Sequence, residues 1–81
     1  MKDFIMVFNN THEAMEGERI FKNNNIKFMI IPTPTYITQS CGISIRFLET
    51  EAEKVDKLYD EDEIKFKNVY EKTCDGFVIY K

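Results

Sequence analysis

Apolar positions along this chain switch between strand-like and helix-like spacing, and each switch marks a new element. Residues 4–8, Phe-Ile-Met-Val-Phe, are apolar without a break and stop at Asn9-Asn10. A run of that length, oily at both parities, predicts a central strand covered on both faces. Thr11 is then expected to cap a helix by offering its side-chain oxygen to the first-turn amides, with Glu13 suited to the positive helix end. Ala14, Gly17, Ile20 and Phe21 share one helical face, and Asn23-Asn24-Asn25 ends the element. Residues 26–31 predict a second strand, halted by Pro32. Ile43, Ile45 and Phe47 alternate with Ser44 and Arg46, the period of a half-buried strand. Thr50-Glu51-Ala52-Glu53 has the spacing of a capping box, and Ala52, Val55, Leu58 and Tyr59 form the buried stripe of the helix it opens. Acidic residues 60–63 close that helix. Residues 64–74 predict a fourth strand, and Asp75-Gly76 predicts a two-residue hairpin turn into a fifth, 77–80.

The order is βαββαβ plus a terminal strand, which predicts one α+β domain over residues 1–81: a ferredoxin-like two-layer sandwich with an additional C-terminal β-strand. Both helices are expected on one face of an antiparallel sheet ordered 4-1-3-2, with the extra strand beside strand 4. The other face is left open. Strand 1 is apolar at both parities and residues 28–31 are apolar throughout. The open face is therefore expected to carry oily side chains and to be covered by a second copy in a homodimer.

Composition narrows the functions this fold can serve. With 81 residues, 43% of them hydrophobic and 31% charged, the chain is an ordinary folded globule that buries roughly 60–65% of its unfolded surface and has no room for a deep enzyme pocket. The formal charge is −3 and the eleven basic residues are scattered, so the footprint of a phosphate-backbone binder is missing and nucleic acid is not an expected partner. The start carries Asp3 before an apolar run too short for a leader or a membrane span. That predicts a cytoplasmic protein with no membrane partner, in which two cysteines are free thiols rather than a disulfide framework.

The candidate chemistry lies in the ten-residue joint from Pro32 to Cys41, followed at once by Gly42. A thiol beside glycine, among hydroxyl side chains at the rim of a sheet, is placed to be reached. In the expected topology this joint shares an edge with the start of the first helix, so Cys41 and His12 become neighbours. A thiol facing a helix N-terminus has its pKa lowered, and the same field keeps His12 neutral, fit to act as acceptor or proton shuttle. Thr11, Thr33 and Ser40 offer hydroxyls either to an anion, which Gly42 would let backbone amides approach, or, for the loop hydroxyls, to local turns that stabilise the joint. Arg46 has no expected role, because five residues of strand span about 16 Å. Cys74 falls at the opposite edge, too far for a bridge whose Cα atoms must lie within about 7 Å, and is read as a small structural residue at a hairpin mouth. The four methionines are core filling, and one cysteine with one histidine falls short of a closed zinc site, so neither a metal nor a cofactor is expected.

Three segments carry a family resemblance: Thr11-His12-Glu13-Ala14 with Glu18; Ile30-Ile31-Pro32-Thr33-Pro34; and Ser40-Cys41-Gly42-Ile43-Ser44-Ile45-Arg46-Phe47. Together they resemble a family of small bacterial proteins labelled selenium or sulfur carrier-like, over residues 4–70 and excluding the tail 73–81. The chain departs from that pattern at Thr35, where arginine often follows the Pro-Thr-Pro segment. The resemblance implies that Cys41 is the carrier residue and that partners are sulfur- or selenium-transfer proteins, such as cysteine desulfurases and small sulfurtransferases. The leading expectation is a thiol-based sulfur or selenium carrier with one reactive cysteine at a loop-to-strand junction. The alternative is a small-metabolite-binding, regulatory or dimerisation module in which Cys41 is structural.

Overall fold

The unbroken apolar run near the amino end becomes the middle of the sheet. The computed structural model describes residues 2–33, 42–61 and 63–80. Its elements are β1 (Asp3–Val7), α1 (Thr11–Asn23), β2 (Met29–Pro32), β3 (Ile43–Leu48), a 3-10 turn (Glu49–Glu51), α2 (Ala52–Asp60), β4 (Asn68–Thr73) and β5 (Gly76–Ile79). The strands form one sheet in the order β2-β3-β1-β4-β5, and every pairing is antiparallel. β1 and β2 therefore run the same way with β3 between them, joined through α1. β3 and β4 likewise flank β1, joined through α2.

Both helices pack on one face of this α+β sheet. Phe4 and Met6 of β1, Ile45 and Phe47 of β3 and Val69 of β4 form a single buried cluster with Ala14 and Phe21 of α1 and Val55 and Leu58 of α2. α1 lies close to the sheet at Gly17, where a Cβ would stand 2.8 Å from two ring atoms of Phe8. The helix-free face is less oily than expected. Its centre, Ile5, Val7 and Ser44, is buried, but Ile5 sits between Arg46 and Tyr70, and Val7 between Ser44 and Asn68. Arg46 donates to Asp3 Oδ2 at 2.9 Å on this face. Exposed apolar side chains there are peripheral: Met29, Leu48 and Ile79.

Five local expectations are corrected. The cap of α1 is Asn10, not Thr11. The 50–53 capping box does not form, because neither Leu48 nor Glu51 makes a side-chain cap hydrogen bond; the Glu51 carboxylate instead accepts the Lys27 N–H at 2.9 Å. The second strand starts at Met29 and includes Pro32, tolerated because β2 is an edge strand. Before it, α1 ends in a Schellman motif: Asn25 takes φ +57°, its N–H bonds to Lys22 O at 3.2 Å, and Ile26 N–H reaches Phe21 O at 3.0 Å. Ile26 thereby enters the core rather than a strand. The fourth strand begins at Asn68, and the hairpin turn is Cys74-Asp75, with Gly76 at φ +139° paired to Thr73. That φ favours glycine, so the Asp-Gly signal marks the exit of the turn rather than its centre.

Candidate functional site

The joint between β2 and β3 has a closed base. Beyond the Pro32–Ile43 pair, Thr33 N–H donates to Gly42 O at 3.1 Å. The Thr33 and Ser44 hydroxyls share a hydrogen bond of 2.6 Å, with Thr33 8% exposed and Ser44 fully buried. Alternation puts both side chains on the helix-free face. Thr33, expected to offer its hydroxyl to a ligand, is instead buried and shares that hydroxyl with Ser44. Gly42 is exposed, and a Cβ there would meet no atom within 4 Å. Ser40 and Cys41 lie outside the described residues, and so does the expected meeting of Cys41 with His12.

Register fixes which end of the sheet this base occupies. Ser44 pairs with Val7, the last residue of β1, and after Phe8 and two asparagines α1 begins. Gly42, Thr33 and the tip of α1 therefore share one end of the molecule. Cys74 is at the other, since Lys72 pairs with Asp3 at the first residue of β1. It is exposed and free.

The tip of α1 closes on itself. Asn10 Oδ1 accepts the Glu13 N–H at 2.9 Å, and Glu13 Oε1 accepts both the backbone N–H of Asn9 at 3.0 Å and its side-chain amide at 2.9 Å. This reciprocal arrangement supplies the first turn with a carboxylate of its own, which offsets the positive helix end expected to act on a thiol. Thr11 is the first helical residue and is exposed. His12 is also exposed, and lines a concavity of about 410 Å³ with Glu13, Glu16, Glu63 and Lys65. The Arg19 guanidinium, 2.7 Å from Glu16, holds that carboxyl below its ordinary value through hydrogen bond and charge, and His12 adds a smaller pull. Among the described residues no cluster of His, Cys, Asp or Glu has the makings of a metal site, and no helix is long and apolar enough to cross a membrane.

Sequence reasoning passed over two residues here. Ser44 sits at a polar position of an alternating strand and so reads as solvent-facing, yet its neighbours bury it. Glu13 was legible as an acid near a helix start, but not as the group that ties Asn9 to the cap.

The family model described as "Putative Se/S carrier protein-like" matches residues 3–71. The chain belongs to this family. No curated protein and no solved structure matches it. The Se/S carrier-like span runs from the first residue of β1 into β4 and contains the whole joint between Thr33 and Gly42. Cys41 falls inside it, whereas Cys74 and β5 fall outside.

Proposed function

We propose that this protein is a thiol carrier of sulfane sulfur or its selenium counterpart, with Cys41 as the carrying residue. The family description supports the cargo, and the matched span supports the choice of cysteine, because it includes Cys41 and stops short of Cys74. The Cys41 thiolate attacks the outer sulfur of a donor persulfide, forming a new S–S bond while the donor's own S–S bond breaks and its thiolate leaves to be protonated. An acceptor thiolate then attacks that same outer sulfur on Cys41, releasing the Cys41 thiolate. The two exchanges involve no net oxidation. His12 takes and returns the protons, and Thr11, Ser40 and Gly42 bound the anion. Thr33 acts through its bond to Ser44, holding the base of the joint.

The partners under this reading are sulfur- or selenium-transfer proteins in the cytoplasm, where thiols stay reduced. The strand order fits the ferredoxin-like arrangement, whose helix-free face, with Met29, Leu48 and Ile79 exposed, is the surface for a homodimer. The deciding experiment supplies isotopically labelled sulfur from a cysteine desulfurase and maps it by peptide mass spectrometry. Label is expected on the Cys41 peptide of the wild type and of Cys74→Ser, and lost in Cys41→Ser. Transfer undiminished in Cys41→Ser overturns the reading.

A further inference from the structure

A second concavity lies at the far end of the sheet from Gly42, where β2 begins and β3 ends. It encloses about 220 Å³, room for roughly seven water molecules at about 30 Å³ each. Its walls are Phe28, Met29, Phe47 and Leu48. The deep wall is rigid: the Phe28 ring meets Phe21 edge-on at 5.6 Å, and Phe21 meets Phe47 at 5.9 Å. The outer wall is open, with Leu48 and Met29 exposed. A preformed apolar concavity ringed by a few polar groups has the character of a small-ligand site, and a volume below the usual range of about 300–1,000 Å³ restricts it to a very small ligand.

The charges around it leave a positive remainder. Arg46 is paired with Asp3 at 2.9 Å, and Glu51 with Lys54 at 3.7 Å while also accepting the Lys27 N–H. Lys27, which lines the same cleft, makes no ion pair among the described residues and acts on Glu51 only at longer range. One unpaired cation on the rim, Lys27, and an apolar interior of this volume complement an anionic head on a short hydrocarbon body.

We propose that this cleft binds a small apolar monocarboxylate of five or six carbons, its carboxylate against Lys27 and its hydrocarbon between Phe28 and Leu48. The site is separate from the thiol chemistry and stands or falls without it; its outer wall, Met29 and Leu48, lies on the face proposed for the homodimer, so ligand and second copy compete for it. Amide chemical shifts of the full chain, titrated with hexanoate, test it. Saturable shifts are expected at residues 27–29 and 46–51, half-complete below about 5 mM, the range open to so small a ligand. Hexanamide, the uncharged isostere, is expected to bind about five-fold more weakly, the worth of one exposed ion pair. Lys27→Met, a change at an exposed position, is expected to bring hexanoate down to the level of hexanamide while leaving shifts outside the cleft in place. Equal binding of hexanoate and hexanamide, no saturation, or shifts centred on another surface overturns the proposal. Tighter binding of N-acetyl-leucine than of hexanoate also overturns it, in favour of a peptide terminus.

Discussion

Ser44 is the residue whose environment departs most from its sequence context. A fully buried hydroxyl at the end of a strand is tolerated because Thr33 bonds it at 2.6 Å. Removing either partner strands the other, which costs about 1–3 kcal/mol, whereas removing both leaves no orphan. Ser44→Ala is therefore expected to lose that much stability in urea denaturation, and Ser44→Ala with Thr33→Val to lose little more than the single change; strict additivity would argue against the pair. Glu51 makes a pH-dependent tie. Its carboxyl lies below its ordinary value of 4.5, first because it accepts the Lys27 N–H and then through the charges of Lys54 and Lys27, against a burial effect that raises it. A carboxyl depressed on folding contributes stability that is full above its unfolded pKa and lost as pH falls through the folded one. The wild type should exceed Glu51→Gln in urea midpoint at about pH 6, and the gap should shrink toward about pH 3. A constant gap would assign Glu51 a pH-independent role.

At the scale of elements, local signals located each helix and strand but misplaced several ends. Asn9, Asn10 and Thr11 are all cap-forming types, and the sequence does not say which is used; Asn10 is selected because Glu13 reaches back to Asn9. Asn10→Ala should cost about 1 kcal/mol in stability, and Thr11→Ala no more than a few tenths. The Thr50 to Glu53 signal lost to a tertiary partner, since one carboxylate oxygen bonded to Lys27 N–H is 24 residues away in sequence and invisible to local pattern. Ile64 and Phe66 have strand-like alternation but fill the edge of the core from irregular backbone, Phe66 against Tyr59 at 5.4 Å. Gly17 shows the opposite case, a residue whose spacing puts it on the buried helical face but gives no hint of the close approach it permits. Alanine there gains about 1 kcal/mol of helix propensity, but its methyl meets the buried Phe8 ring at 2.8 Å, and overpacking of about 1–3 kcal/mol outweighs the gain. Gly17→Ala should lower the melting temperature, and Phe8→Leu in the same chain should recover part of the loss.

For the whole molecule, the two-layer plan was legible because β1 is apolar at both parities and β3 at one. A strand oily on both sides belongs in the middle, and helices with one apolar stripe each belong on the same core. The character of the helix-free face was not legible. Parity marks Ile5 and Val7 as apolar, but only the register puts Arg46, Tyr70 and Asn68 beside them. The exposed apolar groups on that face are consequently marginal, and a dimer that uses it should be sensitive to the rim: Ile79→Glu should shift sedimentation toward the monomer, whereas Met15→Glu, on α1, should not. Of the candidate site, the sequence located the joint and the helix tip that share one end of the sheet, but the carboxylate already seated at that tip follows from the fold.

β5 gives the sheet a border that the matched family span does not include. Tyr80 carries that border back over the helical layer: its ring lies 4.8 Å from Phe4, its N–H donates to Val69 O at 2.7 Å, and its hydroxyl donates to Asp56 of α2 at 3.3 Å. A chain cut after Asp75 would lose this clasp, uncovering an aromatic ring of the central strand and turning the flank of β4 into a template for adhesion between molecules.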